Sequence, residues 1–460
     1  MSSRALNIIK EEVDTPEKRE KYLVSIIGYS ENGIFHVCSF AHAGFKVIFV
    51  DADQAIVNDL LRGKVPFLKR EIEFKLKNYV KMGILSATTD LKTAVSQSDF
   101  IIITTPVEIN EKKKPDYSNV ENVCKKIGSN LRRGSLAIIA STMGVGATEG
   151  LVKEILENTS GFKVGVDFGL AYSPAPIFDQ QPWETLTFQN RIVAALDKKS
   201  LEAASAILET ITKNVVKKLG NIKIAEAAIL FEAVQNDVNV ALATEFALFC
   251  ERACVDYLES YQLARALGCS ELPLPTTFIA EKTAEKSYLF LEGTENFDLK
   301  LRMPTAAREI NEEIIKHAIN LTKDALRNCG KTLRRAKVSL LGIAQTPNAK
   351  SPPKKLVKEL VKILEARGAK VNIYDPYFSG EELAEMQHYY NKNLTETLEA
   401  TDCILIITRH EQFKHLNFKK LKLMTKMPAA IVDFEGIVEP YKVEREGFIY
   451  RGLGRGVWTK

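Results

Sequence analysis

Short apolar runs recur along the chain, each followed by a turn and then by a stretch with helical spacing. This alternation predicts a parallel, doubly wound α/β fold. Leu23–Ile27, Asp99–Pro106, Ser135–Thr142 and Gly165–Ser173 are the strand-forming runs of the first half. Between Tyr22 and Asp53 the order is strand, glycine-rich turn, helix and second strand, the outline of a dinucleotide-binding βαβ unit. The first run ends at Gly28, a helix opens near Gly33, and Asp51 closes the second strand at the separation a ribose-binding carboxylate requires. One position departs from the pattern. G-x-G-x-x-G reads Gly28-x-Ser30-x-x-Gly33, so a side chain stands where the second glycine would let a pyrophosphate approach the backbone. The Ser30 hydroxyl can itself donate to phosphate if the turn relaxes, whereas Glu31 adds negative charge beside it. Gly28, Ser30, Gly33 and Asp51 are therefore expected to contact a dinucleotide, NAD, with weak or altered binding.

From Ile222 to about Cys254 there is no Pro or Gly, and Ala, Leu, Glu and Phe dominate, which predicts one long helix. Some thirty helical residues span about 45 Å, more than one small core needs, and the surplus predicts a homodimer packed through this helix. A second α/β pattern begins at Lys337. Strand Val338–Leu341 ends at Gly342, Ser351-Pro352-Pro353 opens the helix Lys354–Ala366, and Lys370–Tyr374 leads to Asp375. Cys403–Thr408 and Ala430–Asp433 are further strands, and Lys414–Lys426 is expected to be an amphipathic helix with a solvated face. The predicted organisation is a charged extension over 1–21, a Rossmann-like domain over 22–198, a helical dimerisation domain over 199–330 and a second α/β domain over 331–460.

Composition narrows the function classes. A chain of 460 residues exceeds one core at about 150 residues per domain. The net charge of +5 is small beside 63 basic and 58 acidic side chains, which argues against a nucleic-acid partner. Met1–Lys21 is rich in Glu, Lys and Arg, and no apolar run approaches about 18 residues, so a soluble, cytoplasmic protein with no membrane partner is expected. The seven cysteines form no Cys-x-x-Cys pair and the six histidines have no ligand spacing, so no disulfide framework and no metal site are expected. Cys250 and Cys254, four apart on the long helix, read as buried core thiols.

Several motifs in fixed order complete the picture: Gly63-Lys64-Val65-Pro66, Thr105-Pro106, Pro115-Asp116-Tyr117-Ser118, Ser141-Thr142 and Asp167-Phe168 in the first half. The long helix holds Ala225-Glu226-Ala227 and Asp237-Val238-Asn239. Arg308-Glu309-Ile310-Asn311, Tyr374-Asp375-Pro376 and Gly447–Arg455 follow. Together these resemble the UDP-glucose/GDP-mannose dehydrogenase family from about Tyr22 to Arg455. The resemblance implies two Rossmann-like domains joined by a long central helix, NAD as cofactor, a nucleotide sugar as ligand, and Thr105, Pro106 and Thr142 as further cofactor contacts. Family enzymes oxidise the C6 alcohol of a nucleotide sugar to a carboxylate with two NAD⁺, capturing the aldehyde on a thiolate.

Most positions that carry this chemistry in the family are altered. Counting back from Asp237-Val238-Asn239, the family lysine position is Ile229, the asparagine position Ala233 and an arginine position Asn236. The loop glutamate position is Ala175, and an acidic residue often found before Ser-Thr is Ala140. Losing one such donor costs about 10²–10³ in rate. Cys269 aligns within about a residue of the family nucleophile, although the preceding Gly-Gly-His is missing and another gapping puts Glu281 there. The D-x-R-x-S-P element of the last domain keeps only Ser351-Pro352, with Lys350 before it. Three readings stay open: an oxidoreductase of the family that works differently, a pseudoenzyme that binds NAD or nucleotide sugar and regulates or scaffolds an active partner, and, ranked last, a binding or structural module that keeps the fold with no ligand.

Overall fold

The computed structural model describes residues 5–64, 70–174, 187–269, 271–276, 281–295, 298–349, 351, 353–378 and 393–458. Val65, Pro66, Ala175, Lys350 and Pro352 lie outside the described residues, and of Glu281 only the backbone, at the start of a helix, is described. The chain forms two compact units, Met1–Glu232 with Tyr288–Lys300, and Ala233–Ser287 with Leu301–Lys460. Residues 199–330 are thus apportioned between the two.

The first unit is built on β1 (Leu23–Ile27), β2 (Lys46–Val50), β3 (Leu85–Thr88), β4 (Phe100–Ile103), β7 (Leu136–Ile139), β8 (Gly169–Tyr172), β9 (Arg191–Ala195) and β10 (Val216–Leu219), with β5 (Glu108–Ile109) and β6 (Pro115–Asp116) as a separate small ribbon. The strand order is β10-β9-β8-β7-β4-β1-β2-β3. Every residue of β4, β7 and β8 is buried, as strands covered by helices on both faces require. The sheet is not wholly parallel. β9 runs antiparallel to β8, and β10 follows β9, so the doubly wound pattern ends at β8. The chain leaves β1 toward β2 and returns on its other side at β4, which places the topological switch point between β1 and β4.

The N-terminal extension belongs to this unit. Ala5, Leu6, Ile8 and Val13 are buried, Leu6 N–H donates to Gly134 O at 2.9 Å, and the Arg19 guanidinium donates to Ala43 O at 2.9 Å.

In the second unit β11 (Lys337–Leu341), β12 (Lys370–Tyr374), β13 (Cys403–Ile406), β14 (Ala430–Asp433) and β15 (Ile449–Gly452) form a wholly parallel sheet in the order β12-β11-β13-β14-β15. The two sheets repeat one another bond for bond. The Leu23 amide donates to the Asp99 carboxylate at 3.0 Å, and the Lys337 amide donates to Asp402 at 2.8 Å. Ser25 pairs with Ser98 as Ser339 pairs with Thr401. Gly28 and Gly342 both turn the chain with positive φ after the first strand. At the end of the second strand Asp51 accepts from the Tyr29 amide and Asp375 from the Ile343 amide, each at 2.8 Å.

Two local expectations are corrected. Within Lys414–Lys426 the helix covers only Phe418–Met424, capped by Asn417, with Leu421 buried and Leu423 exposed. The central helix is Ile222–Ala253, so Cys254 falls just past its end with φ 58° and is exposed; of this pair, Cys250 alone is buried.

Candidate functional site

The site is built where β1, β2, β4 and β7 end. Gly28 turns out of β1 with φ +100°, and a Cβ there would sit 2.8 Å from Thr105 Oγ1 and 2.9 Å from its amide nitrogen. Gly33 is as constrained: its Cβ would lie 2.6 Å from Gly28 O and 2.8 Å from Thr104 Oγ1. Ser30 is the N-cap of the helix Glu31–Ala43, with extended backbone at φ −162°. Its Oγ accepts from the Gly33 amide at 2.9 Å and donates to Thr104 O at 3.2 Å. The serine in the second glycine position thus supplies an ordinary helix cap, and it occupies one first-turn amide that a diphosphate would otherwise meet.

Asp51 is half-buried, with Oδ2 on the Tyr29 amide at 2.8 Å and Oδ1 on the Asp53 amide at 3.0 Å. Tyr29, in the same turn, has its phenol pushed up to about 12 by burial and by the nearby carboxylates of Asp59, Asp51 and Glu31. Thr105 is buried and its hydroxyl has no hydrogen-bond partner among the described residues. Ser141 fixes that threonine by donating to its carbonyl at 2.6 Å. Thr142 is half-buried beside it, and Pro106 is exposed. Gly28, Ser30, Gly33, Asp51, Thr105 and Thr142 thus sit at one sheet edge, at the switch point.

These residues fit a dinucleotide. The turn leaves no room for a Cβ, as close backbone approach by a phosphate requires, and a buried hydroxyl stands without a partner beside it.

The loop after β7 is held by a residue whose role the motif alone did not disclose. Glu226, fully buried in the central helix, accepts from the Gly146 amide at 2.6 Å and the Thr148 amide at 3.0 Å. Burial pushes its carboxyl above the usual range, and the bonds from Thr148 and Gly146 offset part of that. A cleft of about 700 Å³ opens against this loop, lined by Tyr117, Gly146, Glu149, Lys153, Lys223 and Glu292 among others. Ala140, at the end of β7, is buried and offers no acid. On the central helix Ile229 is half-buried, Ala233 is buried and Asn236 is exposed.

In the second unit two motif segments meet. Asp237 Oδ1 accepts from Arg308 Nη1 and from Asn311 Nδ2, each at 2.8 Å, with all three side chains buried. At the edge of its sheet Asp375 is closed off: Oδ2 takes the amides of Ile343 and Ala344 and His410 Nε2 at 3.1 Å, while His410 Nδ1 accepts from the Asn348 amide. Asp375 is therefore committed internally, unlike its half-exposed counterpart Asp51. Cys269 is exposed after the helix Tyr257–Ala266, its amide bonded to Ala264 O. Among the described residues there is no group of three or more His, Cys, Asp or Glu side chains that could hold a metal ion, and no helix is long and apolar enough to cross a membrane.

A doubly wound sheet with a glycine turn and a carboxylate at its switch point defines a dinucleotide-binding α/β protein. Residues 22–213 match the NAD binding domain of the UDP-glucose/GDP-mannose dehydrogenase family, and residues 340–440 match that family's UDP binding domain. The chain belongs to this family, and NAD is the cofactor of its first domain. It is 28% identical over 94% of its length to the UDP-N-acetyl-D-mannosamine dehydrogenase of Pyrococcus horikoshii, 99% of which is covered. A UDP-N-acetyl-D-mannosamine dehydrogenase of Methanococcus maripaludis is 27% identical, with 95% of this chain and 97% of the relative covered. A solved UDP-D-ManNAc dehydrogenase from Pyrococcus horikoshii superimposes with a TM-score of 0.86 over 95% of this chain and all of that one, at 27% identity.

Proposed function

We propose that this protein binds NAD at Gly28–Gly33 and also binds a nucleotide sugar, and that it does not perform the four-electron C6 oxidation through a Cys, a Lys and an Asn. The observation that carries this reading is the unbroken central helix. Ile222–Ala253 is continuous through Ile229, Ala233 and Asn236 to Asp237, which supports counting these positions back from Asp237 along one helix. Neither an isoleucine nor an alanine can hold a proton or donate to a developing alkoxide. NAD, when bound, supplies a hydride acceptor. The chemistry left to this chain is a two-electron oxidation, reduction or epimerisation of a sugar nucleotide, which needs no thioester. A second reading, a regulator of an active partner, draws support from Ser30 and Glu31, which take up an amide and add negative charge at the diphosphate position.

The decisive experiment follows NADH while the purified protein meets NAD⁺ and a panel of UDP- and GDP-sugars, with Cys269→Ala alongside. Calorimetry with NAD⁺, NADH and NADP⁺ accompanies it. NAD binding without a carboxylate product is expected. Two NADH per sugar, abolished in Cys269→Ala, would refute the proposal and restore the family mechanism. NAD binding with a silent panel would select the regulator.

We further propose a homodimer through the central helix. Ile224, Phe231, Leu242, Phe246 and Phe249 are exposed on it, and their successive spacings keep to multiples of the helical period, as a single stripe does. Light scattering should give a dimer, and Phe246→Glu/Phe249→Glu should yield a monomer. A wild-type monomer at micromolar concentration would contradict the assembly.

A further inference from the structure

Arg191 is a buried cation with no carboxylate bonded to it among the described residues. It opens β9 at 2% exposure, and its Nε and Nη1 have no hydrogen-bond partner among the described residues. Its contacts are with the helix Glu31–Ala43 instead. The guanidinium carbon lies 5.6 Å from the centroid of the Phe35 ring, and Nη2 donates to His36 Nε2 at 3.0 Å. Burial, and then the adjacent guanidinium, push the His36 pKa down to about 3, so the imidazole is neutral. Its tautomer is set: Nε2 accepts from Arg191, and Nδ1–H donates to Asn32 O at 2.7 Å. Asn32 belongs to the first turn of that helix, between the Ser30 cap and Gly33. Burial lowers the Arg191 pKa only to about 10, which leaves it charged at neutral pH.

Such an arrangement is costly on its own. An unpaired buried ion is destabilising, because desolvation is not repaid by a counter-charge. A cation behind a helix N-terminus adds to the positive end of the helix dipole instead of cancelling it. A cation–π contact recovers only part of that cost. The guanidinium thus packs on Phe35 and His36 of the helix that opens at Ser30, with no acidic side chain bonded to it among the described residues.

We propose that Arg191, acting through His36, is a positioning residue for the diphosphate of the bound dinucleotide, charging the first helical turn from behind and holding the Asn32 peptide in place. The inference rests on the reading of Gly28–Gly33 as the NAD turn. An anion at the helix start meets the first-turn amides and, through a low-dielectric interior, the guanidinium field. Binding then brings an anion toward a charge to which no carboxylate is bonded among the described residues. His36 gives the arrangement its direction, because its one proton must point at Asn32 O while Arg191 occupies the other nitrogen.

The test titrates NAD⁺, ADP and adenosine by calorimetry into wild type, Arg191→Met, Arg191→Lys, His36→Gln and His36→Leu, with a Tm for each. Arg191→Met should weaken NAD⁺ and ADP by about tenfold or more, the equivalent of one strong charge interaction, with adenosine unaffected. Its Tm should stay level or rise, since removing an unpaired buried charge relieves desolvation. Arg191→Lys and His36→Gln should keep most of the affinity, and His36→Leu should weaken NAD⁺ and ADP as Arg191→Met does, with a lowered Tm because the cation stays buried without its acceptor. Equal loss for all three ligands with a lowered Tm would overturn the proposal in favour of a purely structural role, as would unchanged ADP binding in a folded Arg191→Met or His36→Leu. Failure of the wild type to bind NAD⁺ or ADP would remove the dinucleotide reading itself, and the proposal with it.

Discussion

Asp237→Ala is expected to destabilise the protein by about 3–5 kcal/mol, the cost of stranding one partner of a buried ion pair. Asp237 is 1% exposed and Arg308 7%, and their 2.8 Å bond joins the central helix to the helix Arg302–Asn328. Removing the carboxylate takes the 2.8 Å bond from the buried guanidinium, whose Nη2 also lies 3.8 Å from Glu312 Oε1, and takes away an acceptor from Asn311, whose Nδ2 bonds both Asp237 Oδ1 and its carbonyl. Burial already holds the Arg308 pKa below its usual value, and the Asp237 carboxylate offsets part of that. The double variant Asp237→Ala/Arg308→Met should recover most of the loss, because it removes both charges. Urea denaturation of the four proteins in the cycle reads the coupling. A single-variant loss below about 1 kcal/mol, the range of an exposed pair, would place the bridge in solvent and take away its role as the clamp of this unit.

That clamp also marks the limit of what the chain reveals by itself. Asp237 and Arg308 stand in two motifs, each recognisable alone, yet they are 71 positions apart and nothing local says that one exists to neutralise the other. Glu226 is the same case: its partners, the Gly146 and Thr148 amides, lie 80 and 78 positions away. Strands with strong local signals were legible to the residue. Leu23–Ile27 is a mostly apolar run ended by Gly28, and Lys370–Tyr374 alternates polar and apolar residues before Asp375; the same spans form the ladders. β10, reading Val-Lys-Lys-Leu with its lysines exposed, carries no alternation that separates it from a loop, and its direction relative to β8 depends on β9 alone. Ser30 was visible but ambiguous, since a serine three residues before Gly33 is equally a lost glycine and an N-cap. Only the bond to the Gly33 amide decides between them.

Gly33→Ala carries the second large effect, because at this position the usual sign should reverse. In a helix, replacing glycine by alanine ordinarily stabilises by up to about 1 kcal/mol. Gly293, in the helix Glu281–Glu295, has open space where a Cβ would go and should follow that rule. At Gly33 the new methyl would meet Gly28 O at 2.6 Å and Thr104 Oγ1 at 2.8 Å. The first contact is with backbone, so it cannot be relieved by a rotamer change. Thr104 Oγ1 is also committed, donating toward Ile27 O and Gly28 O at the end of β1. Overpacking of this kind costs about 1–3 kcal/mol. The helix start must move away from the turn to make room, and with it go the first-turn amides and the Ser30 cap. NAD⁺ affinity should therefore fall by about 10- to 100-fold, at 1.4 kcal/mol per decade, while Gly293→Ala binds as the wild type does. Calorimetry on both variants checks this. Undiminished NAD⁺ binding by Gly33→Ala would mean that the dinucleotide does not use the close approach between helix and turn, and would move its phosphates off the switch point.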